Sequence, residues 1–159
     1  MPKFSAGLLL YRRAGDDLEV LLVHPGGPFW AKKDDGAWSL PKGEYEPPRE
    51  DPLEVALREF GEELGAAPPD VEGAVPLGEV RQAGGKRVVA WAIEGDLDVT
   101  EIESNRFEME WPPRSGRMQE FPEVDRAGWF AIDEAGRKLL RGQVPFLDRL
   151  REAQPRPRG

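Results

Sequence analysis

The stretch from Asp51 to Gly65 admits few structures other than a single two-faced helix. Asp51 is a residue type that favours the N-cap, and Pro52 suits the first helical position, where no N–H is needed. Glu54, three residues after Asp51, completes a pattern that resembles a capping box. Gly65 is placed to end the helix as a left-handed C′ residue. Leu53, Leu57, Phe60 and Leu64 stand 4, 3 and 4 residues apart and form one apolar stripe. At about 100° per residue, Glu59, Glu62 and Glu63 fall within roughly 100° of arc on another side. Arg58 is four residues from both Glu54 and Glu62 and can pair with either.

Around this helix the chain reads as mixed α and β. Strands are predicted at 5–12 and 18–24 about the turn Gly15-Asp16-Asp17, and at 75–82 and 86–94 about Ala83-Gly84-Gly85. Residues 25–37 read as a long loop, followed by a short strand near Trp38-Ser39-Leu40. Residues 104–120, which include Trp111-Pro112-Pro113, read as irregular. A strand is expected near 128–131, then a helix capped by Asp133 and running to about Leu140, and a further helix from Pro145. No internal repeat is present. One domain over 1–153 is expected, with a frayed tail at 154–159.

Composition narrows the function. The 159 residues contain no Cys, which excludes disulfides and cysteine-based zinc sites. The only His is His24, so a catalytic His pair is impossible and a structural role is expected for it. No apolar run approaches the roughly 20 residues of a membrane span, and the first residues lack a signal-peptide layout. A cytoplasmic protein, monomeric or homodimeric and without a membrane partner, is the expectation. The net charge of −8 disfavours binding to nucleic-acid backbone but not to a small phosphorylated molecule, because a metal ion reverses the local sign of an acidic site.

Three carboxylates on adjacent turns usually mark a solvated helix face. They also repel one another unless a cation lies between them, and oxygen-only ligands suit magnesium. Context favours the second reading. Gly43 to Glu50, then seven residues, then Arg58-Glu59-Phe60-Gly61-Glu62-Glu63-Leu64-Gly65-Ala66, resembles the box of the Nudix family. The half from Arg58 onward is intact. The spacing from Gly43 to Glu50, six residues, is one longer than the family pattern, so Glu46 or Glu44 is an alternative to Glu50 for the first acid. The resemblance implies an α+β fold, an α/β/α sandwich about a mixed sheet, and a metal-dependent hydrolase that cuts a diphosphate linkage.

Carried over by position, the resemblance makes Glu59, Glu62 and Glu63 ligands of Mg2+ (with Mn2+ as a substitute), with the Gly43 carbonyl nearby. Divalent ions shield a diphosphate and activate water, and a carboxylate must take the water's proton. Glu59 and Glu62 are candidates for that role, as is a later acid, Glu120 first and Glu123 behind it. Arg58 orients the acids. Leu40-Pro41-Lys42-Gly43 is similar to the branch acting on dinucleoside polyphosphates, and Lys42 adds a cation suited to extra phosphates. Arg81, Lys86 and several other loop cations are further phosphate candidates. Trp38 and Trp111, with Trp30, lie in or beside loops where a base can stack. The alternatives are a housecleaning pyrophosphohydrolase of (d)NTPs and a non-catalytic ligand sensor, against which the intact acids argue. Isoprenoid diphosphate isomerisation would want additional Cys or His ligands that this chain lacks.

Overall fold

A computed structural model describes residues 3–66 and 71–154. Its centre is β1 (Phe4–Ala14), which turns at Gly15 (φ 64°) into β2 (Asp17–Pro25), with Ala14 opposite Asp17. Both strands run further than the sequence patterning predicts, because pairing persists up to the turn. β4 (Val75–Arg81) and β5 (Arg87–Glu94) form a second antiparallel pair, and β5 runs parallel to β1. β8 (Val124–Ala131) pairs with β2 to give the order β4-β5-β1-β2-β8.

The remaining edge of β1 is shared. Its last residues pair with β2, while Phe4–Gly7 pair with the short β3 (Lys42–Tyr45). The segment between β2 and β3 lies in the resulting fork, where Pro41 C=O accepts from Leu8 N–H (3.1 Å) and Ser39 C=O from Val23 N–H (2.8 Å). This replaces the strand expected at 38–40. Ser39 and Trp38 make only isolated bridges, and the strand proper begins at Lys42.

Side chains alternate across the sheet. Leu8, Leu10, Leu21 and Val23 face one core, closed by α1 (Pro52–Leu64). Leu9, Tyr11, Val20 and Leu22 face the other, closed by α2 (Ile132–Lys138) and α3 (Pro145–Ala153). Burial on both faces explains the unbroken apolar runs of β1 and β2. The architecture is the expected α/β/α sandwich.

On α1, Asp51 holds the N-cap position and its carbonyl accepts from Val55 N–H (3.1 Å), but its side chain makes no cap bond. Gly65 ends the helix at φ 70°. The face turned to the sheet is Val55, Ala56, Phe60 and Leu64, and Leu53 and Leu57 flank it half-buried. Small Ala56, fully buried, stands within that face.

The segment expected to be irregular holds a hairpin, β6 (Arg106–Glu110) and β7 (Met118–Pro122), with Phe107 opposite Phe121. The alternation of Phe107 and Met109 with Arg106, Glu108 and Glu110 is a strand period, which the flanking Trp111-Pro112-Pro113 obscures. Asp133 is not a cap. It lies in the first turn of α2, and that helix stops at Lys138 because Leu140 N–H turns to Trp38 C=O (2.8 Å). Of the expected frayed tail, Gln154 takes a hydrogen bond from Arg13 (2.8 Å), and 155–159 lie outside the described residues. No helix among the described residues is long and apolar enough to cross a membrane.

Candidate active site

α1 packs across β3 so that two acids meet two consecutive strand residues. A Cβ on Gly43 would collide with Cγ and Cδ of Glu59, so glycine is required for Glu59 to lie against the strand. One turn further on, Glu63 Oε2 accepts from Lys42 N–H at 3.2 Å. Burial, and then the charge of Glu59, push the Glu63 carboxyl up to about 8, against the opposing pull of Lys42. Glu59 is raised by burial and then by Glu62, with Arg58 opposing. Burial lowers Lys42, which Glu63 partly offsets.

Arg58 spans the acids. Its guanidinium lies 3.7 Å from Glu59, 4.0 Å from Glu62 and 3.9 Å from Glu50. Such long, exposed pairs contribute orientation more than stability. Glu50 also accounts for the longer loop. Its N–H donates to Glu46 C=O and its Oε1 accepts from Glu46 N–H, both at 3.0 Å, which closes the extra residue into a turn. Glu44 pairs instead with Lys3 (3.7 Å). Glu50 is therefore the loop acid in reach of Arg58.

A strap of backbone hydrogen bonds fixes a fourth acid. Asn105 N–H donates to Glu62 C=O (2.9 Å), Glu123 N–H to Asn105 C=O (2.8 Å), and Gly26 N–H to Glu123 C=O (2.9 Å). Ser104 Oγ accepts from Val124 N–H beside it (2.9 Å). Burial, and then the charge of Glu62, raise the Glu123 carboxyl, and Glu123 in turn raises Glu59 and Glu63. Glu120 is exposed on β7 opposite Glu108 and is not among the charges acting on the α1 acids. The later acid beside the helix is Glu123.

Of these groups, Lys42, Glu63 and Glu123 line a cleft of about 250 Å³ at the fork, together with Lys86, Gln82 and Trp30 among others. Lys86 is close enough for its charge to depress Lys42. Lys33 Nζ stands 5.0 Å over the Trp30 ring. A larger hollow of about 640 Å³, by Phe4, Tyr45 and Arg49, contains none of the α1 acids, so size alone does not mark the site.

The other expected substrate contacts fall elsewhere. Trp38 is 5% exposed; its Nε1 donates to Asp34 (2.8 Å), and its ring packs edge-on with His24 and Phe130. It is a core residue with no face to offer a base. Trp111 packs edge-on with Phe29 at the tip of the β6–β7 hairpin, and neither it nor Arg81, exposed at the end of β4, lines the cleft. His24 has the expected structural role, buried between Asp125 (2.8 Å) and the Lys33 carbonyl (2.6 Å). Gln82, which lines the cleft, and Gln143, buried behind it, have no sequence pattern that marks them.

The donor set suits a hard divalent cation: carboxylates from Glu59, Glu62, Glu63 and Glu123 beside a glycine that admits close approach. Among the described residues no three His, Cys, Asp or Glu side chains converge on one point. Glu59 and Glu62 turn to Arg58, and Glu63 to Lys42 N–H. The acids fit by type and neighbourhood, and ligation requires side-chain rotation on α1.

A family model described as NUDIX domain matches residues 1–150. Among solved structures, the chain resembles an Ap4A hydrolase of C. elegans in a binary complex (TM-score 0.61, 21% identity, 94% of this chain and 96% of that one). It also resembles the NUDIX domain of Shewanella oneidensis NrtR complexed with ADP ribose (0.64, 18%, 96% and 88%) and a MutT protein from Methanosarcina mazei Go1 (0.60, 20%, 97% and 97%). No curated protein matches the chain.

Proposed function

We propose that this chain, which belongs to the Nudix family and is a pyrophosphohydrolase, cleaves the diphosphate linkage of a dinucleoside polyphosphate in the cleft between α1 and Lys42, using Mg2+ or Mn2+. The observation that carries this is the juxtaposition in one cleft of half-buried Glu63 and Lys42 and exposed Lys86 with an aromatic ring, Trp30. Acids alone suggest a cation site, and lysines alone an anion site. Both together suit a metal–polyphosphate pair.

Glu59, Glu62 and Glu63 would hold the cation, with Glu123 and the Gly43 backbone beside them. When bound, the cation shields the phosphates and makes water more acidic. Arg58 orients Glu59 and Glu62, and Lys42 and Lys86 bind phosphate oxygens. In the reaction, water adds to one phosphorus, the bridging P–O bond breaks, and a carboxylate takes the water's proton. Glu123 is suited to accept that proton, because its pKa is raised and it hangs from backbone rather than from the helix that carries the other acids. Trp30 offers a face for one base.

The size of the cleft favours a second reading within the same chemistry. About 250 Å³ suits one nucleoside better than two, as for a (d)NTP pyrophosphohydrolase. The test is hydrolysis of diadenosine polyphosphates and nucleoside triphosphates by the purified chain with Mg2+ or Mn2+, beside Glu62→Gln and Glu63→Gln. Metal-dependent turnover that collapses in both variants is expected, and the better substrate chooses between the readings. Turnover unchanged in both would remove the acids from the mechanism.

A further inference from the structure

Gln143 is fully buried, uncharged and outside the proposed chemistry, and its hydrogen-bond partners admit only one orientation of its amide. Leu40 N–H donates to Gln143 Oε1 at 3.1 Å. The other end of the amide, Nε2, therefore faces two acceptors, Ser39 Oγ (3.0 Å) and Gln82 Oε1 (2.8 Å). Ser39 commits its own proton to Leu40 C=O (2.7 Å), which leaves its oxygen free to accept. Reversing Gln143 would set Nε2 against Leu40 N–H, donor against donor in a buried site.

The direction propagates to the next residue. Because Gln82 Oε1 faces Gln143, Gln82 Nε2 is the end left over. Gln82 is half-buried and lines the cleft together with Ser39, Leu40 and Lys42, and among the described residues its Nε2 has no hydrogen-bond partner. Its backbone is held too. Gln82 N–H donates to Lys86 C=O (2.7 Å), and Gly142 lets the 141–143 turn lie against it, since a Cβ there would come within 2.9 Å of Gln82 Cα.

We infer that Gln82 is a specificity-determining residue, held by Gln143 as a one-way donor, and that it selects a base with an oxygen at purine C6 or pyrimidine C4 (guanine, hypoxanthine or uracil) over one with an amine at that position (adenine or cytosine). This rests on the reading of the cleft as a nucleotide site. Lys42 and Lys86 already answer the phosphates with charge, so a neutral amide fixed by a buried network adds direction rather than attraction. A keto oxygen accepts from that N–H, whereas an exocyclic amine brings a second donor to it. A site built around one polar group rejects the ligand that leaves it unpaired. Gln143, which acts through Gln82, is a positioning residue.

The test is titration calorimetry on the full chain with Mg2+ and non-hydrolysable methylene-bridged analogues of GTP and ATP. The wild type is expected to bind the guanine analogue about tenfold more tightly. Gln82→Met should bring the two to parity. Gln82→Glu keeps an oxygen for Gln143 Nε2 and turns another toward the cleft, so the ratio should tip to adenine. Gln143→Glu should tip it the same way by letting Gln82 reverse, a change that a merely structural loss would not produce. Equal binding by the wild type, an equal loss for both analogues in Gln82→Met, or no binding of either would each overturn the inference. Hydrolysis assays on the same preparations separate the two readings. Base selection without turnover would sink the hydrolase and leave Gln82 its role, and turnover without base selection would do the reverse.

Discussion

On the α1 side of the cleft, where Glu63 alone of that helix lines it, Arg58, Glu59, Glu62 and Glu63 come from one stretch of six consecutive positions, while the other wall draws on three separated segments: Ser39 and Leu40, Gln82 and Lys86, and Gln143 behind them. The first wall is spaced by the helix period alone. The second exists only once β4 and the 141–143 turn have closed on the fork. The first wall carries charge. The second is neutral except for its lysine and carries direction. Damage to the first should abolish chemistry, and damage to the second should change what is accepted.

Gly43→Ala strikes the first wall hardest without touching a charge. The new Cβ must displace Glu59, and a misplacement of about 1 Å can cost on the order of 100-fold in rate. Steady-state kinetics should show the loss in kcat, with the fold intact by circular dichroism. An unchanged kcat would detach Glu59 from the reaction. Glu123→Gln should lower kcat by roughly 100-fold, the lower end of general-base effects, while Glu120→Gln stays within about twofold. The opposite ranking would move the later acid back to β7.

Trp30→Ala should raise KM about tenfold with kcat little changed, as expected for loss of a base stack. Trp38→Ala should instead lower the melting temperature through loss of a core ring, with KM preserved in the fraction that stays folded. If both act alike, Trp30 is packing rather than a ligand contact.

The smallest effect is a pH dependence of the metal-free protein. Glu63 titrates near 8 in the folded chain against an ordinary value of 4.5. The folded state thus keeps a proton that the unfolded chain has released. The stability this gives is fully present below pH 4.5 and is lost as pH rises toward 8. In chelator, the melting temperature should fall by a few degrees across that window, and Glu63→Gln should flatten the decline. A rise would show that Lys42 dominates the pair.

The same contrast explains how much of the molecule is legible in its amino-acid order. A helix writes its faces into consecutive residues, so spacing alone assigns Glu59, Glu62 and Glu63 a common side, and the sandwich follows from the apolar runs of β1 and β2. Spacing does not rank Glu123 above Glu120. Both acids precede the same strand, and only the strap through Asn105 separates them. Trp38 sits beside a loop in sequence but inside the core in space, because Asp34 and Phe130 reach it from either side of the chain. Gln82 and Gln143 lie sixty-one residues apart, and no local pattern relates two amides that meet only after folding.

The strap has one more consequence. It grips the chain at Asn105 and again at Glu123, on either side of the β6–β7 hairpin, so whatever lies between those two grips is a removable appendage as far as the acids are concerned. Residues 106–122 could be shortened, or exchanged for a loop of foreign sequence, with Glu123 still anchored. In this chain the hairpin is the natural place to graft a new recognition element onto an unaltered reaction centre.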